Sequence, residues 1–420
     1  VSNRRRSLSG ETLASIVYTS GTSKKPVGVP LTHGNFTHEV LAISRLGIAA
    51  SRDVQLLFLP LAHIFARVLY LSALGTGMRT VLETEPARLM ETCSEMRPTF
   101  FAGVPHVFEI LKKSIEEEVR RSPVKGQILT RITSTQGGVV NRTLSETLLK
   151  LIRARFGGHL RFAISGGAPL ALSTAQFFER LGIPILEGYG LTETCGVATV
   201  NVLDERRVGS VGRPLPGVQV AIEEDGEILI RGPSTMRGYW GSDQGRGTPL
   251  QDDGWLHTGD LGEYDRDGFL IVTGRKKDIL VTSGGKNIAP TWIEALLNQQ
   301  PLIAHAVLVG DGLPFVSALI ELDWQAVERE LNADVSISEE KRALWVARKE
   351  VLGRLAAEID HVNAELSPHE RIKKFVVLLG ELDPLRDLTP TFKLRRDAII
   401  ERHRSLIEPM YSQESRIRKR

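Results

Sequence analysis

Between Leu13 and about Leu186, short apolar runs alternate with amphipathic stretches. "LASIVYTS", "QLLFLP", "TFFAGVP", "LRFAISGG" and "IPILEGYG" are rich in β-branched, aromatic and leucine residues and end in Gly, Pro or Ser, which predicts strands. "HVFEILKKSIEEEVRR" and "NRTLSETLLKLIRARF" carry apolar residues at helical spacing. Strands alternating with helices predict an α/β layer, with ligands taken at the loops after the strands. From about Val208 the texture changes. "GVQVAI", "GEILIRG" and "FLIVTG" are short strands between Gly, Asp and Pro turns, which predicts a small β-rich subdomain. Beyond "GRKKD" come a Gly loop, the helix "WIEALLNQQP", the strands "HAVLVG" and "VSALIEL", and a long charged helical region from about Asp323 to Leu366. The shift in texture places a domain boundary near Lys277, giving 1–276 and 277–420.

Composition narrows the class. A chain of 420 residues with 42% hydrophobic and 25% charged residues is an ordinary globular composition for two or three domains. Its net charge of +3 does not point to nucleic acid, and Arg4 to Arg6 and Arg416 to Arg420 read as solvated ends. Cys93 and Cys195 are the only cysteines, which excludes a disulfide framework and fits a reducing cytoplasm. No apolar run reaches the roughly 20 residues that span a bilayer. The chain starts at Val1 rather than Met and meets a strand almost at once, so a fragment or an unusual start is expected.

Several short strings carry chemistry. "YTSGTSKKPVGVPLTHGN" (Tyr18 to Asn35) is not a Walker A loop, because no GK[ST] follows at the right spacing. The backbone of Gly21 and its neighbours, with Thr19, Ser20, Thr22 and Ser23, suits an anion nest; a plain Gly/Ser turn has the same composition. "ISGGAP" sets Ser165 near the pattern of a nucleophile elbow, but Ala163 stands where that motif needs Gly, so a turn that lets a ligand approach the backbone fits better. "HEVLA" opens like a zinc-binding helix and fails at Ala42. In "EGYGLTET" an aromatic, two threonine hydroxyls and a carboxylate cluster at a strand end, where Tyr189 can cover a base, Thr192 bond a phosphate and Glu193 hold Mg2+. In "GWLHTGDLGEYDRDGFLIVTGRKKD", Asp260 suits two ribose hydroxyls, and a surface turn bridged to Arg275 is the plainer alternative.

Taken in order, these strings together with "LPLAHIFARV", "AGVPHVFE", "VGRPLPGV", "GEILIRGPSTMRGYW", "DILVTSGGKNIAP" and "LTPTFKLRR" resemble the adenylate-forming acyl-CoA synthetases. "PLAHIF" and "GVPHVFE" favour the long-chain fatty acyl-CoA ligase branch. The resemblance implies a large N-terminal domain of α/β subdomains plus a small β-subdomain, then a small mobile α+β C-terminal domain. It implies two half-reactions: a fatty acid carboxylate attacks the α-phosphate of ATP, with Mg2+, to give acyl-AMP and pyrophosphate, and the thiol of CoA then displaces AMP. By the same resemblance Gly167, Ala168 and Tyr189 line the adenine pocket, Gly190 is a further cofactor-binding residue, Thr192 contacts the α-phosphate, Glu193 binds Mg2+, and Asp260 and Arg275 hold the ribose. Lys277 is the hinge, Gly284 and Gly285 flank the pantetheine tunnel, and Lys393 bridges carboxylate and α-phosphate during adenylation. His63 is a candidate for the acyl or thiol channel, or a packed residue.

Expected partners are therefore fatty acid, ATP and CoA, with no nucleic acid. The expected location is the cytoplasm, with peripheral contact at the inner face of a membrane to reach the acyl substrate. Two departures from the family pattern lower the expected activity. Lys24 replaces a glycine and Val27 a lysine of the phosphate loop, and the section that precedes this loop in the family is missing. Alternatives are a fatty acyl-AMP ligase serving a carrier protein, a truncated non-catalytic binding protein, and a serine hydrolase at Ser165.

Overall fold

The computed structural model describes residues 7–19, 26–120, 129, 142–241, 250–251, 253–331, 339–380, 382–383, 386–387 and 394–412. The chain forms two compact units, Val1–Val272 and Thr273–Arg420.

The first unit opens with an antiparallel pair, β1 (Leu13–Thr19) and β2 (Val27–Thr32), in which Thr19 faces Val27. Helix α1 (His33–Arg45) follows directly. Thr32 caps it: its hydroxyl accepts from Asn35 N at 3.2 Å, while the Asn35 side chain accepts from Thr32 N at 2.8 Å. Then come β3 (Val54–Leu57), α2 (Ile64–Thr76), β4 (Arg79–Leu82), α3 (Leu89–Met96), β5 (Phe100–Gly103), α4 (Pro105–Arg120), α5 (Arg142–Arg155), β6 (Phe162–Ser165), α6 (Leu172–Arg180) and β7 (Ile185–Tyr189). Two short strands, β8 (Thr199–Val200) and β9 (Arg213–Pro214), complete a seven-stranded sheet in the order β4-β3-β5-β6-β7-β8-β9. The strands from β4 to β7 are parallel, and β8 and β9 join antiparallel.

This sheet is covered on both faces, as parallel strands require. Successive residues point to opposite sides. Phe101, Ala163 and Ile185 enter one core with Phe108, Leu111, Ile115 and Val119 of α4. Phe100, Phe162 and Leu186 enter the other. Phe100 and Phe162 stack with ring centroids 4.9 Å apart. The β-rich part is a four-stranded sheet of β10 (Gln219–Ile222), β11 (Glu227–Arg231), β12 (Leu256–Tyr264) and β13 (Leu270–Arg275), in that order. It begins later than the change of texture at Val208, because Arg213–Pro214 pairs with the large sheet instead.

In the second unit a hairpin, β14 (Leu280–Val281) and β15 (Asn287–Ile288), precedes α7 (Pro290–Leu297). A three-stranded sheet of β16 (Ile303–Val309), β17 (Ser317–Leu322) and, after the helices, β18 (Lys374–Leu378) forms its centre. All six residues of the middle strand β17 are buried. The charged stretch from Asp323 to Leu366 is not one long helix. It holds α8 (Trp324–Leu331), α9 (Glu339–Val346) and α10 (Lys349–Glu365). α11 (Arg396–Arg402) and α12 (Arg404–Tyr411) close the unit, and Ile399, Ile407 and Met410 cover the face of the sheet that presents Val307, Val309 and Leu319. Among the described residues no helix is long and apolar enough to cross a membrane.

Candidate functional site

The predicted clusters meet at the end of β7. This strand runs out at Tyr189, and the chain turns through a short 3-10 segment, Thr192–Thr194. The turn is closed from within. Leu191 N donates to Thr194 Oγ1 at 2.9 Å, Cys195 N to Thr192 O at 3.0 Å, Gly196 N to Leu191 O at 3.0 Å and Ala198 N to Tyr189 O at 2.8 Å. Only glycine fits at 190: a Cβ there would stand 1.8 Å from Gly196 O. The folding-back exposes part of Thr192 and Glu193, while Thr194 and Cys195 are buried.

Tyr189 reaches across to the β-rich sheet. Its hydroxyl donates to Asp260 Oδ2 at 2.8 Å, joining two motifs 71 residues apart. Asp260 is buried at 4% exposure, and its backbone is set by Thr258, whose hydroxyl accepts from Asp260 N at 3.0 Å. The irregular stretch of β12 before it is held by Glu227: Gly259 N donates to Glu227 Oε1 at 2.8 Å, and His257 Nδ1 lies 3.2 Å from Glu227 Oε2.

Glu193 has a partner that sequence reasoning missed. Tyr239 donates from its hydroxyl to Glu193 Oε1 at 2.9 Å, and Met236 N donates to Glu193 O at 2.8 Å. Burial, then the negative charge of Glu193 and this hydrogen bond, push the Tyr239 hydroxyl above its ordinary range, so it remains a donor. One carboxylate oxygen is thus oriented, which suits a hard cation at the other.

The third wall is the turn after β6. Gly167 has φ +85 with nothing within 4 Å of a built Cβ, so the backbone there is left-handed and open. Ala168 is half-buried beside it. Ser165, by contrast, is 1% exposed and its hydroxyl has no partner among the described residues. A nucleophile must be presented to its substrate and to a base, so the hydrolase alternative fails here. Glu187, beneath this turn, accepts from the backbone N–H groups of Gly209 and Leu170, and burial pushes its carboxyl up to about 7.

Two further polar residues, both on α1, border the site. The Asn35 amide donates to Pro233 O at 2.8 Å and to Thr235 O at 3.3 Å. Glu39, which sequence reading passed over with the failed zinc motif, is fully buried. Its Oε1 accepts from Val197 N at 2.7 Å, and burial raises its carboxyl well above the usual range. His63 is half-buried at the N-cap of α2 and makes no side-chain capping bond.

Thr19 ends β1, half-buried opposite Val27, whereas Ser20, Gly21, Thr22 and Ser23, with Lys24 and Lys25, lie outside the described residues. In the second unit Arg275 precedes a 3-10 turn, Lys276–Asp278, in which Lys277 is exposed. Gly284 and Gly285 form the exposed tip between β14 and β15; Gly285 has φ +70 and donates to Thr282 O at 2.8 Å. Lys393 lies outside the described residues.

Residues 2–240 match the family described as AMP-binding enzyme, and residues 277–415 match the AMP-binding enzyme C-terminal domain. The chain is 35% identical to the long-chain-fatty-acid–CoA ligase FadD15 of Mycobacterium bovis, over 96% of this chain and 70% of that protein. It is 37% identical to the putative fatty-acid–CoA ligase fadD11 of Mycobacterium tuberculosis, over 98% of this chain and 76% of that protein. Among solved structures it is similar to the ATP-bound RpMatB-BxBclM chimera B1, with a TM-score of 0.69 and 25% identity, over 95% of this chain and 70% of that one.

Proposed function

Because the chain belongs to the AMP-binding enzyme family, we propose that it works as an ATP-dependent long-chain fatty acid–CoA ligase. The observation that supports this most is the hydrogen bond from Tyr189 to Asp260, which joins a base-covering ring and a ribose-binding carboxylate beside the Thr192–Glu193 turn. That placement supports the roles the family pattern implies. The Tyr189 ring and the open backbone at Gly167, Ala168 and Gly190 take adenine. The Asp260 carboxylate accepts from the ribose hydroxyls. The Thr192 hydroxyl donates to the α-phosphate. Glu193, oriented by Tyr239, is the residue that would hold Mg2+, and the ion when bound neutralises phosphate charge.

The carboxylate of a fatty acid then displaces pyrophosphate from ATP. The carboxylate, whose carbon is a poor electrophile, becomes the mixed anhydride acyl-AMP, in which AMP is a good leaving group, and catalysis is chiefly positioning and charge stabilisation. On the family pattern we assign Thr19, Ser20, Gly21, Thr22 and Ser23 to the leaving phosphates and Lys393 to the carboxylate and α-phosphate. We place the functional boundary between 276 and 277. We assign Arg275, at the end of the N-terminal domain, to the ribose, Lys277 to the hinge, and Gly284 and Gly285 of the C-terminal domain to the pantetheine arm. In the second half-reaction the CoA thiol attacks the acyl carbon and AMP leaves. Substrate supplied from a membrane surface would need no spanning helix.

The test is pyrophosphate release from Mg·ATP with a long-chain fatty acid, with and without CoA. The reading requires fatty-acid-dependent pyrophosphate, and acyl-CoA once CoA is added. Pyrophosphate with no thioester would mark a ligase that stops at acyl-AMP, and no pyrophosphate would sink the enzymatic reading.

A further inference from the structure

Asn35 and Glu39 stand four residues apart on α1, so they project from one face of the helix on successive turns. Both are buried, at 8% and 0% exposure, and each spends one polar atom, Asn35 its Nδ2 and Glu39 its Oε1, on backbone far away in sequence. The Asn35 amide takes the carbonyls of Pro233 and Thr235, just before Met236 and Tyr239, which hold Glu193. The Glu39 carboxyl takes the N–H of Val197, just after the turn that bears Thr192 and Glu193. Gly196 packs against it, since a Cβ there would lie 3.4 Å from Glu39 Oε1 and 3.0 Å from Val68 Cγ2.

Glu39 is an expensive way to fill that space. Its Oε2 is buried with no partner among the described residues, and an unsatisfied buried polar group is destabilising. A leucine would pack there without that penalty. What leucine cannot do is accept from Val197 N. The turn is closed internally by bonds among residues 189–198 and held at Glu193 by Met236 N and the Tyr239 hydroxyl; Glu39 holds its far end, at Val197, from outside.

We infer that Asn35 and Glu39 are positioning residues for the nucleotide site: from one helix face they hold the two segments, 232–240 and Leu191–Val197, that meet at Glu193. This rests on the ligase reading for its kinetic consequence, not for its structural one. Positioning groups around a metal ligand are typically worth about 10- to 100-fold in metal affinity or activity.

The experiment compares Glu39→Leu, Glu39→Gln and Asn35→Ala with the parent chain. Three quantities are read: the Mg2+ half-saturation of pyrophosphate release, the KM for fatty acid, and hydrogen exchange at the Val197 amide without substrates. Glu39→Leu should raise the Mg2+ half-saturation about 10- to 100-fold, leave the fatty acid KM unchanged and speed Val197 exchange. Glu39→Gln keeps the oxygen acceptor and should restore both. Asn35→Ala should raise the Mg2+ half-saturation without changing Val197 exchange. Equal losses in Glu39→Gln and Glu39→Leu would overturn the inference, as would Mg2+ and fatty acid constants that move together. If the parent releases no pyrophosphate, the ligase reading falls by itself. Val197 exchange then decides the structural claim, and unchanged protection in Glu39→Leu overturns it.

Discussion

Single side chains divide into those that announce themselves in sequence and those that do not. Tyr189, Glu193 and Asp260 sit in dense, unusual strings and could be picked out there. Tyr239 and Glu227 were in strings already read, yet gave no signal, because their partners lie 46 and 32 residues away. Glu39 was hidden more deeply, since a glutamate in an amphipathic helix normally faces water and its burial is decided by Val197, 158 residues on. The Tyr239 hydroxyl gives a direct prediction. Tyr239→Phe keeps the ring and removes the donor to Glu193, so the Mg2+ half-saturation should rise about 10-fold or more with an unchanged melting temperature. Glu193→Gln should act in the same direction and more strongly, because it removes the charge itself. Glu187 gives a prediction in pH. Its carboxyl is raised from 4.5 to about 7 in the folded state, so the native protein holds a proton that the unfolded chain has released. Its contribution to stability is present below about pH 4.5 and is lost as pH rises through about 7. Glu187→Gln should therefore flatten the fall in stability across that window, by on the order of 3 kcal/mol at its upper end. Identical pH–stability curves for parent and variant would contradict this.

At the scale of elements, the sequence was most legible where periodicity is local. The strands ending at Thr19, Gly103, Ser165 and Tyr189 fall where apolar runs meet Gly, Pro or Ser. It was least legible where geometry depends on a distant partner. Arg213–Pro214 gives no strand pattern and is a strand only because Thr199–Val200 pairs with it. The three helices from Trp324 to Glu365 share one charged texture, so periodicity did not separate them. In the second unit α7 and α11 are joined by a buried ion pair: the Arg396 guanidinium donates to both oxygens of Glu294, at 2.6 Å for Nη2 to Oε2, and Nη1 also reaches Leu308 O on β16. Breaking such a pair by removing one partner leaves an uncompensated buried charge and costs about 3–5 kcal/mol. Arg396→Ala should lower the unfolding free energy of this unit by that amount in chemical denaturation. A midpoint and slope equal to the parent's would show that the pair contributes nothing.

For the whole molecule, the order of motifs was more informative than any one of them, because the family pattern spans both units while each string alone has an ordinary explanation. The assignment of Lys393 belongs at this scale. Lys393→Ala should abolish pyrophosphate release while leaving thioester formation from supplied acyl-AMP at the parent rate, since its charge serves the step in which pyrophosphate departs. Equal slowing of both half-reactions would refute that division of labour. The two cysteines allow such events to be followed without substrates. Cys93 lies in the core of the parallel sheet with its thiol pushed up to about 12 by burial, and Cys195 lies in the turn behind Glu193 with its thiol raised further by burial and by Glu39. Neither sulfur is a competent nucleophile while covered, because the thiolate is the reactive form. Alkylation therefore works as a pair of clocks: Cys93 records opening of the sheet core, Cys195 records fraying of the turn that bears Thr192 and Glu193, and the ratio of their labelling rates separates a loosened candidate site from a molecule coming apart.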